Sequence, residues 1–94
     1  MITTFQDKET ALIWGGERSR RLPPGIQAKA LQKLRLLNAA LNLSDLRVPP
    51  GNRLEALRGD RRGQHSVRIN DQWRICFRWT EAGAENVEVC DYHN

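Results

Sequence analysis

Gln64-His65-Ser66-Val67-Arg68-Ile69-Asn70-Asp71-Gln72-Trp73-Arg74-Ile75-Cys76-Phe77-Arg78-Trp79 alternates apolar and polar residues on either side of a polar break at Asn70-Asp71-Gln72. A period of two marks a strand with one buried face, because successive side chains leave an extended backbone on opposite sides. Two such runs joined by a tight connection predict an antiparallel pair. Val67 and Ile69 on the first strand then share a face with Trp73, Ile75, Phe77 and Trp79 on the second. Ser66, Arg68, Arg74, Cys76 and Arg78 share the opposite face.

The pattern extends in both directions. Downstream, Glu81 to Glu85 holds Gly83 and predicts a turn, and Val87 and Val89 mark a last strand with Glu88 and Cys90 pointing the other way. Upstream, Gly59-Asp60-Arg61-Arg62-Gly63 is a turn, and Leu54 and Leu57 bracket a first short strand. Before the breaker Pro49-Pro50-Gly51 the period changes to 3.6. Ile26, Ala30, Leu34, Leu37 and Leu41 form one apolar stripe, with Lys29, Lys33 and Arg35 outside it. They predict a helix that opens after Pro23-Pro24-Gly25 and ends near Asn42, followed by one turn capped by Ser44 and carrying Leu46. Asp7 is placed to cap an earlier helix from Lys8 to Trp14, stopped by Gly15-Gly16. Residues 1–5 read either as an edge strand or as the entry to that helix. Residues 17–21 read as a solvated, arginine-rich connection, with contact to a polyanion through Arg18, Arg20 and Arg21 as the lesser alternative.

Helices first and a meander after them give an α+β fold, with N-terminal helices packed on one face of a C-terminal antiparallel β-meander. The 94 residues suffice for one core and are too few for two, so residues 1–94 are expected to form a single domain.

Charge is unevenly spread. The chain carries 15 Lys and Arg against 11 Asp and Glu. Residues 53–78 hold Arg53, Arg58, Arg61, Arg62, Arg68, Arg74 and Arg78 against Glu55, Asp60 and Asp71, a local balance of +4. The guanidinium fork matches phosphate and carboxylate geometry, so a nucleic acid and an acidic protein are both candidate partners. Cys76 and Cys90 are too widely spaced for a CxxC motif, no other Cys or His spacing suggests a zinc site, and two free thiols in a reducing compartment are expected. The N-terminus lacks a basic segment followed by an apolar stretch, and no run is apolar enough to span a membrane. The expected location is the cytoplasm.

The polar face carries the chemistry. Arg68 and Arg74 flank one tight turn, so two positive charges stand on neighbouring strands. Either an anion sits between them, as in a phosphate-binding groove, or Glu88 and solvent relieve them. Asp91, Tyr92 and His93 follow the last strand and emerge at the rim of that face. Histidine is the natural proton shuttle near neutrality, tyrosine can donate or accept, and arginine can stabilise a dianionic phosphorane. These groups suit RNA strand scission, in which a 2′-hydroxyl attacks its own phosphate in line, and a metal is unnecessary where arginine carries the electrostatic load.

The runs Pro49-Pro50-Gly51-Asn52-Arg53-Leu54-Glu55-Ala56-Leu57-Arg58-Gly59, Arg62 to Phe77 with its Trp73-Arg74-Ile75 core, and Val87-Glu88-Val89-Cys90-Asp91-Tyr92-His93 together resemble the HigB branch of the RelE/ParE toxin superfamily, also called the plasmid maintenance system killer family. The likeness covers essentially the whole chain. It implies a RelE-like fold and a toxin of a type II toxin-antitoxin pair. It further implies a ribosome-dependent endoribonuclease, an mRNA interferase that cuts mRNA in the A site, inhibits translation and arrests growth. The implied partners are the ribosome, mRNA and a HigA-like helix-turn-helix antitoxin, through which alone the toxin reaches operator DNA. No cofactor or metal is implied. The family's catalytic positions fall on Asp91, Tyr92, His93, Arg74 and Arg58, leaving Arg61, Arg62, Arg68 and Arg78 to hold flanking RNA. Where several relatives place a further catalytic histidine, this chain has Glu55, a weaker base among arginines, which leaves His93 as the principal proton-transfer group. Two rival readings are a ParE-like gyrase inhibitor on the same fold and a non-catalytic RNA-binding or regulatory module.

Overall fold

The computed structural model describes residues 1–91. Helix α1 spans Lys8–Trp14, and its first turn is closed by Asp7, whose Oδ1 accepts from the Thr10 amide at 2.7 Å. Helix α2 spans Pro24–Ala39, with Pro24 at the first helical position, where a missing N–H costs nothing. Ile26, Ala30, Leu34 and Leu37 are buried as the stripe requires.

Two residues of the α2 pattern depart from expectation. Leu41 is 86% exposed, because Ala40 already leaves the helical conformation at ψ 131°. The chain is then turned by Asp45, whose Oδ2 accepts from the amides of Leu41 and Asn42 at 2.9 and 3.0 Å. The 3-10 turn that follows, Leu43–Arg47, is therefore capped through Asn42 and Asp45, not Ser44. Lys33, expected outside, is only 7% exposed. Its Nζ donates to Asn52 Oδ1 at 2.5 Å, and Asn52 in turn donates from Nδ2 to the carbonyls of Leu46 and Val48. The loop that carries Asn52 folds over that flank of α2 and supplies the acceptor that makes the buried ammonium tolerable.

Strands β1 (Glu55–Ala56), β2 (His65–Arg68), β3 (Trp73–Thr80) and β4 (Gly83–Asp91) form one antiparallel sheet in the order β1-β2-β3-β4. Val67 pairs with Ile75 and Ile75 with Val89, and these residues join Phe77 and Val87 in the core against Ile13, Leu34 and Leu37. The sheet register shifts between Cys76 and Arg78, opposite Asn86 in a left-handed conformation at φ 54°. The turn into β4 is shorter than the sequence suggested, because Gly83 already belongs to the strand. Its φ of +128° and the Met1 carbonyl oxygen lying where a β-carbon would stand explain the glycine. Residues 1–5 run beside β4 as an edge segment, bridging Ile2 to Ala84 and Phe5 to Val87 in parallel. No helix among the described residues is long and apolar enough to cross a membrane.

Candidate active site

The face of the sheet turned away from the helices carries Ser66, Arg74, Cys76 and Cys90, and it is not uniformly polar. Leu57, Cys76 and Cys90 form a second, small buried cluster on it. The two cysteines are free thiols whose sulfurs approach to 2.7 Å. Their mutual hydrogen bond, and after it burial, holds the Cys90 thiol above the ordinary range. Over this cluster Arg61 Nη1 pairs with Glu88 Oε1 at 3.0 Å and also donates to Gln64 Oε1 at 3.2 Å. The bond to Glu88 raises the Arg61 pKa.

Arg74 is the anchored cation of this face. Arg74 and Arg68 are direct cross-strand partners, as expected, and each guanidinium has its own partners in the fold. Arg68 pairs with Asp71 in the β2–β3 turn. Arg74 turns toward β1: its Nε donates to Ser66 Oγ at 2.6 Å and its Nη2 to the Arg53 carbonyl at 2.6 Å. Glu55 Oε1 lies 3.7 Å from the same Nε. Each of the two like charges thus has its own neighbour in the fold, Asp71 for Arg68 and Glu55 for Arg74, while Glu88 is taken by Arg61.

These contacts have local causes. Ser66 stands opposite Glu55 on one side and Cys76 on the other, so its hydroxyl lies under the guanidinium and is fully buried. Arg53 adopts a left-handed conformation at φ 44° after the 3-10 turn Pro50–Asn52, which places its carbonyl within reach of Arg74. Sequence reasoning put Ser66 on this face without giving it a role. The Arg53 carbonyl had no signal in the sequence beyond the turn residues before it.

The remaining expected residues are distributed around this centre. Arg58 precedes the 3-10 turn Gly59–Arg61 and is exposed, as is Arg62 after it. Arg78 lies farther along β3 and pairs with Glu85 at 3.9 Å. Asp91 ends β4 opposite Trp73 and accepts from Gln72 Nε2 at 3.0 Å. Tyr92 and His93 lie outside the described residues. Behind Glu55, a recess of about 350 Å³ opens between the Leu43–Arg47 turn and β1, lined also by His65 and Leu54.

Taken together, the face offers one guanidinium held in a fixed orientation and exposed arginines on the adjoining turn, whereas Asp91, paired with Trp73, ends β4 on the helix side of the sheet. Residues 3–93 match the family model described as RelE-like toxin of type II toxin-antitoxin system HigB. The chain belongs to the HigB-like toxins. Among relatives, it is 40% identical over 87 residues to Toxin HigB-1 of Vibrio cholerae serotype O1, covering 92% of each chain. It is 26% identical over 93 residues to Endoribonuclease HigB of Proteus vulgaris, covering 99% of this chain and 100% of that one. As a HigB-like toxin of a type II system, it pairs with an antitoxin.

Proposed function

We propose that this HigB-like toxin is an endoribonuclease that cleaves mRNA in the A site of the translating ribosome, without a metal, in the cytoplasm. The observation that carries the reading is the anchored Arg74 guanidinium, held by Ser66 Oγ and the Arg53 carbonyl on a face bordered by exposed arginines. The Proteus vulgaris relative, Endoribonuclease HigB, supports the activity by its name.

In this mechanism Arg74 and Arg58 hold the scissile phosphate and stabilise the charge that develops on its non-bridging oxygens. The 2′-hydroxyl attacks phosphorus in line and loses its proton, the P–O5′ bond breaks, and the departing 5′-oxygen takes up a proton. The products are a 2′,3′-cyclic phosphate and a 5′-hydroxyl. His93 moves the proton, oriented by Asp91 and Tyr92. Arg62, with Arg61, Arg68 and Arg78 in lesser roles, faces flanking RNA. A HigA-like helix-turn-helix antitoxin neutralises the toxin and carries it to operator DNA.

Primer extension on mRNA after induced expression tests the reading, with wild type beside His93→Ala and Arg74→Ala. New 5′ ends within translated codons are expected for wild type alone. Intact mRNA together with poisoned gyrase would transfer the protein to the ParE-like class.

A further inference from the structure

Residues 17–21 connect the two helices, on the side of the sheet opposite Arg74, and they are not a slack connection. Ser19 is 1% exposed and organises the whole segment. Its hydroxyl donates to Glu9 Oε1 at 2.6 Å and accepts from the amides of Arg21 and Leu22 at 3.2 and 3.1 Å. Its amide donates to Gln27 Oε1 at 3.0 Å, and Gln27 Nε2 donates back to the carbonyls of Ser19 and Leu22 at 2.8 and 2.9 Å. Both helices therefore grip the loop, Glu9 from α1 and Gln27 from α2.

The side chains projected from this fixed backbone are Arg18, Arg20 and Arg21, all exposed. Among the described residues, no ion pair involves any of the three. Arg18 and Arg20 border an open recess of about 480 Å³ together with Ser19, Leu22 and Pro24. Three guanidinium groups against Glu17 and the Ser19-bound Glu9 leave a net positive charge on this loop. Three arginines of the sheet side, by contrast, have internal partners: Arg61 in Glu88, Arg68 in Asp71, and Arg78 in Glu85.

We propose that residues 17–21 form a second RNA contact, in which Arg18, Arg20 and Arg21 bind the phosphate backbone of structured RNA from the helical side of the molecule. The choice of partner rests on the RNA-directed reading above. Phosphate suits the site better than a protein carboxylate surface does, because the loop presents charge with no exposed aromatic or large aliphatic anchor, whereas protein interfaces draw their energy from such anchors. The anchored backbone leaves only side-chain freedom to be lost on binding, so charge is converted to affinity efficiently. The contact recognises backbone and carries no sequence preference.

The test is binding of the full chain to an RNA hairpin made with 2′-O-methyl riboses, which lacks the attacking hydroxyl, so the result is independent of cleavage. Dissociation constants are measured across a salt series for wild type and for Arg18→Gln/Arg20→Gln/Arg21→Gln. The triple variant is expected to bind at least about tenfold more weakly at low salt, with the slope of log affinity against log salt reduced by about two to three. Lys8→Gln/Arg35→Gln/Arg47→Gln removes the same number of exposed charges elsewhere and is expected to cost far less. Equal losses in the two triples would reduce the effect to net charge and overturn the proposal. Unchanged hairpin binding, with binding to polyglutamate lost instead, would also overturn it in favour of an acidic protein partner. If the triple variant melts early, the three single substitutions are read instead, each expected to lower the slope by about one.

Discussion

Arg74 Nε donates to the buried Ser66 hydroxyl at 2.6 Å, which fixes this cation on the sheet. With Nη2 committed to the Arg53 carbonyl, the guanidinium plane has one orientation and its remaining N–H groups point one way. Removing the hydroxyl leaves the charge in place and frees its direction. Ser66→Ala is expected to cost about 1–3 kcal/mol of stability, as for a lost hydrogen bond to a charged group. Cleavage should fall by less than the hundredfold or more expected for Arg74→Ala. Arg74→Lys, which keeps the charge but loses the fork, should recover little. Denaturant titration and cleavage rates on the same preparations separate the two effects. Equal activity in Arg74→Lys and wild type would show that orientation is irrelevant.

Glu55 lies beside this cation, with its Oε1 3.7 Å from Arg74 Nε and its side chain 41% exposed. A carboxylate in that position compensates Arg74 and opposes an incoming phosphate. Glu55→His would replace it with a group that titrates near neutrality, adding a second proton carrier while removing the negative charge. The variant is expected to cut faster than wild type and to acquire a pH–rate profile with an additional limb near neutral pH. Glu55→Gln, which removes charge alone, should change the rate by less than about tenfold and leave the profile unchanged. A Glu55→Gln variant as slow as Arg74→Ala would assign the carboxylate a direct chemical role.

Lys33 supplies a pH dependence of stability. Burial, then repulsion from Lys29 and Arg68, lowers its pKa in the folded protein below the ordinary lysine range. Below the lowered value both folded and unfolded chains hold the proton, and Lys33 contributes no slope. Between the lowered and the ordinary values the unfolded chain binds more protons, so stability rises with pH across that alkaline window. Lys33→Met removes this rise. It also leaves Asn52 Oδ1 without its donor at a site only 1% exposed, so the variant is expected to be less stable by about 1–3 kcal/mol at neutral pH. The difference from wild type should widen as pH increases through the window. Measuring both proteins at each pH cancels the alkaline titration of every other group, and a constant difference would exclude Lys33 as its source.

The sheet was legible because its period is local. Val67, Ile69, Ile75 and Phe77 alternate with residues of the opposite face, and the observed pairing of Arg68 with Arg74 follows from the short turn between them. What escaped was decided by side-chain contacts that a period does not register. Lys33 meets its acceptor 19 positions away, and Leu41 leaves the stripe because Asp45, four residues on, reverses the chain there. Arginine positions were readable, but their partners were not. Composition counts Arg61, Arg62 and Arg68 alike, whereas the fold gives Arg61 to Glu88, Arg68 to Asp71, and leaves Arg62 exposed. Asp91, expected just past the last strand, is instead its final residue, opposite Trp73, and Tyr92 and His93 lie outside the described residues.

The contrast between Arg61 and Arg62 makes a direct prediction about RNA affinity. Arg61 is neutralised by Glu88 at 3.0 Å across the cysteine cluster, so its field at an approaching phosphate is largely cancelled. Arg61→Ala is therefore expected to change RNA affinity little and to cost about 0.5–1 kcal/mol of stability, the range for a partly exposed pair. Arg62 is exposed, and Arg62→Ala should weaken binding to uncleavable RNA and lower its salt slope by about one. Glu88→Gln offers the complementary test, since it releases the Arg61 charge while keeping an acceptor beside it. That variant should bind RNA more tightly than wild type and with a steeper salt dependence. Should Arg61→Ala weaken binding as much as Arg62→Ala, Glu88 is not screening Arg61, and both arginines would be assigned to the RNA contact alike.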